Sequence, residues 1–249
     1  IICLDNKNLK KVLSKIKNKN ILTYGENKYS NYRISNIKYN TNFSSFNLSF
    51  KDINKKRKTI ENIQLKLLGK HNVLNAAAAI SVSLNLGINQ NILKKSLKNF
   101  SGVQRRMTKI FTKNGNDFFD DYAHHPTEIK STLDSVKNVF KNRKIISIFE
   151  PHRFSRVLSL KKEFAKSFLK SNIVMLCPIY AAGEKKSYKF SMVKFAKLIS
   201  RFSKTQVIII NNFKEIKNYL KKNLLNNEII IGMGAGQISK QMRELKNFL

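Results

Sequence analysis

The chain has 249 residues, an apolar fraction of 42% and a formal charge of +33. That length holds one large domain or two modest ones with a real core, and no apolar run nears the ~20 residues needed to span a bilayer. The opening Ile1-Ile2-Cys3-Leu4-Asp5 has no charged stretch leading into an apolar core and cleavage site, so no secretory signal is expected there. It reads as a strand entered midway, as in a piece of a longer polypeptide. Cys3 and Cys177 lie far apart in apolar segments. Reduced thiols in a cytoplasmic protein are expected, and two cysteines are too few for a cysteine-built metal site. Lysines are spread along the chain (Lys10, Lys11, Lys15, Lys17, Lys19), and no arginine stripe alternates with aromatics. A general bias toward Lys, Asn and Ile accounts for the charge better than a nucleic-acid-binding module, which stands as the alternative from another functional class.

Residues 1–5 have the pattern of a buried strand, and Asn8 to Ile16 that of a short amphipathic helix. Ile21 to Gly25 is a second strand. Tyr32 to Asn36, Phe43 to Lys51 and Ile63 to Leu68 alternate apolar and polar residues as half-exposed strands do, with loops over 36–42 and 52–58. Gly69-Lys70-His71-Asn72-Val73-Leu74-Asn75 then leads into four alanines, a slender helix that allows close approach of a neighbour. Asn72 and Asn75 are three apart in its first turn, where free N–H groups favour a polar ligand; both amides can face an adenine edge, or one can be a simple cap. Another helix spans Asn89 to Phe100, and 101–106 reads as a link between two bodies.

Beyond it, strands and helices alternate strictly. Strands are expected at Arg106–Thr112, Phe118–Asp121, Lys144–Phe149, Ile173–Leu176, Gln206–Ile210 and Glu228–Ile231. Helices are expected at Pro126–Val139, Leu158–Leu169, Phe190–Phe202, Phe213–Lys222 and Gln237–Phe248. Short Val/Ile runs between helices imply a parallel α/β sheet covered on both faces, with ligands at the carboxyl ends of its strands. Four turns at that edge carry chemistry. Asp120-Asp121-Tyr122-Ala123-His124-His125-Pro126-Thr127-Glu128 ends in a proline suited to a first helical turn. Glu150-Pro151-His152-Arg153-Phe154-Ser155-Arg156 carries two guanidinium groups three apart, able to hold one carboxylate or phosphate. Pro178 to Glu184 is a small-residue loop. Gly232-Met233-Gly234-Ala235-Gly236 comes last in the chain, where a dinucleotide fingerprint would come first; close backbone approach to a ligand and plain turn geometry explain it equally well.

These motifs, with Gly102-Val-Gln-Arg105-Arg106 and in this order, resemble the Mur ligase family, and within it the branch that adds alanine; the branch that recycles murein tripeptide is the runner-up. The resemblance implies an α/β fold in which residues 1–103 are the second half of a central ATPase domain and 104–249 a C-terminal Rossmann-like doubly wound domain. It implies ATP-dependent amide formation between UDP-N-acetylmuramate and L-alanine through an acyl phosphate, in peptidoglycan biosynthesis, with no nucleic-acid or membrane partner. By the same resemblance Asn72 and Asn75 contact adenine, Arg106 the nucleotide phosphates and Asp121 the ribose. Tyr122, His124, His152, Arg153 and Arg156 face the amino acid, with His124, His152 and Arg153 catalytic. The family's Gly-Lys-[Ser/Thr] phosphate loop and its Mg2+ ligands lie upstream of the matching region, so no metal ligand is assigned here and this stretch alone is expected to be inactive. Ala123 and Met107 stand where Gly and Phe are common in the family, and both changes leave the turns plausible.

Overall fold

The computed structural model describes residues 1–17, 20–40, 43–185 and 189–249; Lys19 and the last two positions of the 36–42 loop lie outside them. The chain divides into two compact units, Ile1–Gly102 and Val103–Leu249.

In the first unit, strands β1 (Ile2–Cys3), β2 (Thr23–Gly25), β3 (Tyr32–Tyr39), β4 (Ser44–Lys51) and β5 (Arg57–Leu65) form one sheet in that order, helix α1 (Lys7–Leu13) lying between β1 and β2 in the chain. β1 and β2 run parallel and β3 to β5 are antiparallel. Alternation puts Ile34, Phe46, Leu48, Ile63 and Leu65 in the core, and a bulge in the β4–β5 pairing brings Ile60 to the same face. Helix α2 (Lys70–Asn85) covers them with Val73, Ala76, Ala77 and Ile80, and its short alanines let the helix lie close to the sheet. Helix α3 (Gln90–Asn99) adds only the partly buried Leu93 and Leu97. The last strand starts earlier than the sequence pattern indicates. Pairing from Lys51↔Arg57 to Ser44↔Leu65 draws residues 57–62 into a hairpin whose turn is pinned by the Asp52 carboxylate, which accepts the N–H groups of Asn54 and Lys56 at 2.9 Å each.

The second unit is a doubly wound sheet in the order β10-β9-β8-β11-β7-β6. Its elements run β6 (Thr108–Lys113), β7 (Asn116–Asp121), α4 (Pro126–Val139), β8 (Lys144–Phe149), α5 (Phe154–Ser159), α6 (Lys161–Ser167), β9 (Ile173–Leu176), α7 (Met192–Ser203), β10 (Gln206–Ile209), α8 (Phe213–Asn223), β11 (Glu228–Met233), α9 (Ile238–Glu244) and a closing 3-10 turn. All neighbours are parallel except the β6–β7 hairpin. The chain steps from β7 to β8, outward to β9 and β10, and returns to place β11 between β7 and β8. Alternation splits the central strands between two cores. Ile145, Phe149, Ile229 and Ile231 meet α4, α6 and α7 on one face, while Ile146, Ile148 and Ile230 meet α8 and α9 on the other. At the amino ends of the strands, the Arg143 guanidinium donates to the Gly115, Asn227 and Glu228 carbonyls and to the Asp117 carboxylate.

The helix expected at 158–169 is instead two short ones. The backbone at Leu160 leaves helical geometry (φ −114°, ψ 20°), and α5 begins at Phe154, directly on the His152–Arg153 turn. No helix among the described residues is long and apolar enough to cross a membrane. Phe149, fully buried and within 5.2 Å of the Phe168 ring and 5.7 Å of Phe164, is the keystone of the larger core. Phe149→Ala is expected to cost ~3–5 kcal/mol in urea unfolding, while Leu169→Ala, at a half-exposed position, should stay within ~0.5 kcal/mol.

Candidate functional site at the carboxyl edge of the second sheet

Strand β7 is buried along its whole length and delivers two carboxylates to the sheet edge. Asp120 is fully buried; its Oδ2 accepts from Ser239 Oγ at 2.5 Å and Arg243 Nη2 at 3.0 Å, tying α9 to β7. Asp121 turns to the other side, accepting the Met107 N–H on one oxygen and the Ala123 N–H on the other, both at 2.8 Å. Burial pushes its carboxyl up to about 6, against the pull of those two backbone donors and of Arg106. After Tyr122 the chain enters α4. His125 Nδ1 accepts the Thr127 N–H at 3.3 Å, and one Glu128 oxygen accepts the N–H groups of His124 and His125 at 3.1 Å each. That capping box holds the histidine turn rigid. Glu128 also lies 3.8 Å from Arg106 Nη1.

The turn after β8 is stitched to the loop after β9. Tyr180 N–H donates to the Pro151 carbonyl at 2.8 Å, and Arg153 N–H donates to the Tyr180 carbonyl at 2.9 Å. The Glu184 carboxylate accepts from the Ser155 N–H at 3.0 Å and from its hydroxyl, capping α5 from a distant segment. Those Ser155 hydrogen bonds hold the Glu184 carboxyl below the usual range. Arg153 sits in left-handed backbone, φ 70°, at the start of α5. Arg156 Nη1 lies 3.2 Å from His152 Nδ1. Burial first, then His124, Arg156 and Arg153, lower the His152 pKa, so this ring is neutral near pH 7.

The structure resolves the glycine-rich turn. The Glu150 carboxylate occupies the amino end of α9, accepting the N–H groups of Gln237 at 3.2 Å and Ile238 at 3.4 Å. Burial raises its pKa. A Cβ at Gly236 would stand 2.4 Å from Glu150 Oε2 and 2.7 Å from the Tyr180 ring, and one at Gly234 2.9 Å from the Glu150 carbonyl. The glycines admit an internal carboxylate to the N–H groups that a helix amino end offers to an anion.

The turns converge. Tyr180 stacks on His152 at 5.5 Å, His152 meets His124 at 5.5 Å, and His124 meets Tyr122 edge-on at 5.1 Å. The Arg105 and Arg106 guanidinium groups lie 4.7 and 5.8 Å from the Tyr122 ring centre. Tyr122, His124, His152 and Arg156 are thus brought together, Arg153 stands exposed on the same turn, and Arg106 joins through Tyr122 and Glu128. Asp121 is not on the rim. It is 1% exposed with both oxygens on backbone amides, so it braces the turn rather than presenting itself to a ribose. In the first unit, Asn72 and Asn75 do not share a face: Asn72 is buried and donates to the Leu68 carbonyl at 2.8 Å, while Asn75 is exposed. Each within its own unit, Asn75 and Arg106 leave polar groups accessible, whereas Asn72 and Asp121 do not. Among the described residues no three His, Cys, Asp or Glu gather as a metal site. Sequence reasoning gave no site role to Arg105, Glu150 or Glu184; their only signal was a charge inside a strand-end motif.

Fold and site together define a doubly wound α/β domain with a cationic, imidazole-bearing rim, joined to a second mixed α/β unit. The family model for the Mur ligase glutamate ligase domain matches residues 105–236, and that for the Mur ligase middle domain matches 1–83. The chain belongs to the Mur ligase family. It is 48% identical over 248 residues to the UDP-N-acetylmuramate–L-alanine ligase of Pelagibacter ubique, covering 100% of this chain and 53% of that protein. With the ligase of the same name from Clostridium acetobutylicum it shares 39% over 222 residues, 89% of this chain and 47% of the relative. A crystal structure of UDP-N-acetylmuramate–alanine ligase from Thermotoga maritima superposes with a TM-score of 0.73 at 26% identity, covering 91% of this chain and 47% of that one. A murein peptide ligase from Psychrobacter arcticus shares the fold, with a TM-score of 0.67 at 22% identity, covering 99% of this chain and 50% of that one. The chain spans about half the length of the curated relatives it matches.

Asp121 makes stability depend on pH. Its folded pKa, about 6, lies above the unfolded value of 3.8, so its favourable contribution is complete below the unfolded value and is lost as pH rises through about 6. Asp121→Asn should flatten the fall in urea midpoint across that window. A variant with the wild-type slope would refute this.

Proposed function

We propose that the protein containing this chain is a UDP-N-acetylmuramate–L-alanine ligase, an ATP-dependent acid–amino-acid ligase of peptidoglycan biosynthesis, and that its C-terminal unit holds the L-alanine. The observation that carries the reading is the rim: the imidazoles of His124 and His152, the phenols of Tyr122 and Tyr180 and the Arg156 guanidinium meet beside two strand-end turns, those after β8 and β9, that are hydrogen-bonded to each other. Identity of 48% along the whole chain to a relative of that name supports it. The two unpaired thiols, Cys3 and Cys177, suit a cytoplasmic protein.

The amino acid arrives as a zwitterion, and the site must grip its carboxylate while letting the amine lose a proton. Arg153 and Arg156 supply the charge-assisted donors for the carboxylate, and the neutral His152 beside them adds a ring that does not compete as a cation. Tyr122 and His124 flank the amine end. Phosphoryl transfer from ATP makes the muramate carboxylate an electrophile, since a bare carboxylate lacks a leaving group. Arg106, poised between Glu128 and the Tyr122 face, is the group that reaches a phosphate oxygen. The Mg2+ that accompanies the nucleotide would take its ligands from the remainder of the protein.

In a full-length ligase carrying this chain, Arg153→Ala should raise the KM for L-alanine by the equivalent of ~2–5 kcal/mol, with a much smaller effect on the KM for ATP. Steady-state kinetics with each substrate varied in turn checks this, and an unaltered KM for alanine would remove Arg153 from the amino-acid site.

A further inference from the structure

We propose that the two imidazoles of the rim are fixed in opposite tautomers, so that His124 presents a bare Nε2 able to take a proton while His152 presents an Nε2–H able only to donate. The catalytic consequence rests on the amino-acid-site reading above; the tautomers themselves do not.

The argument follows from what each ring's other nitrogen touches. His124 Nδ1 lies 2.9 Å from the Tyr122 carbonyl oxygen. A carbonyl can only accept, so that nitrogen carries the hydrogen. Glu128 Oε2, 3.5 Å from the same nitrogen, sets a negative charge on that side and reinforces the choice. The neutral ring then has its lone pair on Nε2. For His152 the situation is inverted. Its Nδ1 lies 3.2 Å from Arg156 Nη1, and a guanidinium can only donate, so Nδ1 is bare and the hydrogen of the neutral ring sits on Nε2. A second proton on His152 would break that hydrogen bond. It would also place a cation among Arg153, Arg156 and His124, with Glu184 opposing them. His125 supplies an internal standard: its Nδ1 accepts the Thr127 N–H at 3.3 Å, so it shares the tautomer of His152. Of these three rings, His124 alone has its hydrogen on Nδ1.

The rim therefore divides its labour. As the neutral alanine amine attacks the carbonyl carbon of the acyl phosphate, a C–N bond forms and the carbonyl π pair moves to oxygen. The pair returns as the C–O bond to phosphate breaks, and inorganic phosphate leaves. The surplus amine proton passes to His124 Nε2 and from there to solvent. His152 donates its Nε2–H to the alanine carboxylate beside the arginines and takes no proton. His124 is thus a catalytic residue and His152 a binding one.

The test needs no substrate. In the 249-residue chain labelled with 15N-histidine, the four imidazoles are assigned by single His→Gln substitutions, and long-range 1H–15N correlations are recorded above the histidine titration range. The expected result is an Nδ1–H pattern for His124 and Nε2–H patterns for His125 and His152. An Nε2–H pattern at His124, or the same tautomer at His124 and His152, overturns the proposal. Arg156→Met should leave His152 a mixture of tautomers with His124 unchanged; a His152 that keeps a single tautomer would overturn the role given to Arg156. In the full-length ligase, His124→Gln should lower kcat by ~10²–10⁴-fold with little change in the KM for alanine, and His152→Gln should mainly raise that KM. The reverse split overturns the division of labour. A full-length protein with no alanine-dependent ATP hydrolysis would defeat the amino-acid-site reading while leaving the tautomers to stand on the spectra.

Discussion

Two neighbouring carboxylates, shut away from water at the end of β7, set the geometry on which the second unit's rim depends. Asp120 faces one way and binds α9 through Ser239 and Arg243; Asp121 faces the other and binds the backbone at Met107 and Ala123. Alternation along a strand makes this possible, because adjacent side chains point to opposite faces. The pair therefore fastens the entering segment, the histidine turn and the last helix to one strand. Burying such groups is costly unless donors surround them, and here hydroxyl, guanidinium and backbone N–H groups do. One imperfection remains: Arg105 Nε and Asp120 Oδ1 lie 4.0 Å apart, each buried and without a hydrogen bond among the described residues. Arg105 uses its Nη2 on the Gly234 carbonyl at 2.6 Å instead.

Much of this architecture was legible in the residues. Pro126 marks the first turn of α4, and the Val/Ile runs at 145–149 and 173–176, bounded by polar residues, could only be buried strands; their limits emerge as read. The turns that meet at the rim could be picked out too, because ligand-capable side chains crowded the strand ends, but the places of Arg105 and Tyr180 in it could not. What could not be read was direction. Asn72 and Asn75 have helical spacing compatible with one face, yet the need to satisfy the Leu68 carbonyl draws Asn72 inward. Asp121 looks in sequence like any surface aspartate, and the approach of Met107 from the segment before β6 cannot be read from its neighbours. Long-range pairs were hidden for the same reason. Ser155 and Glu184, or Glu150 and Gln237, meet through sheet topology, and no local pattern encodes that meeting.

The glycine-rich turn before α9 illustrates how a familiar pattern can serve another end. Helix amino ends attract anions, and this one is already satisfied by Glu150 from the neighbouring strand. With the Gln237 and Ile238 N–H groups both taken by that carboxylate, the turn has already used the donors a helix amino end offers to an anion.

Arg153 adopts a backbone conformation that an ordinary side chain resists, by ~1–3 kcal/mol relative to glycine. Glycine would relax the bend at no steric expense. If Arg153 holds the amino acid as proposed, this position sets two demands against each other that most positions merge, because the residue that eases folding removes the side chain that turnover would need.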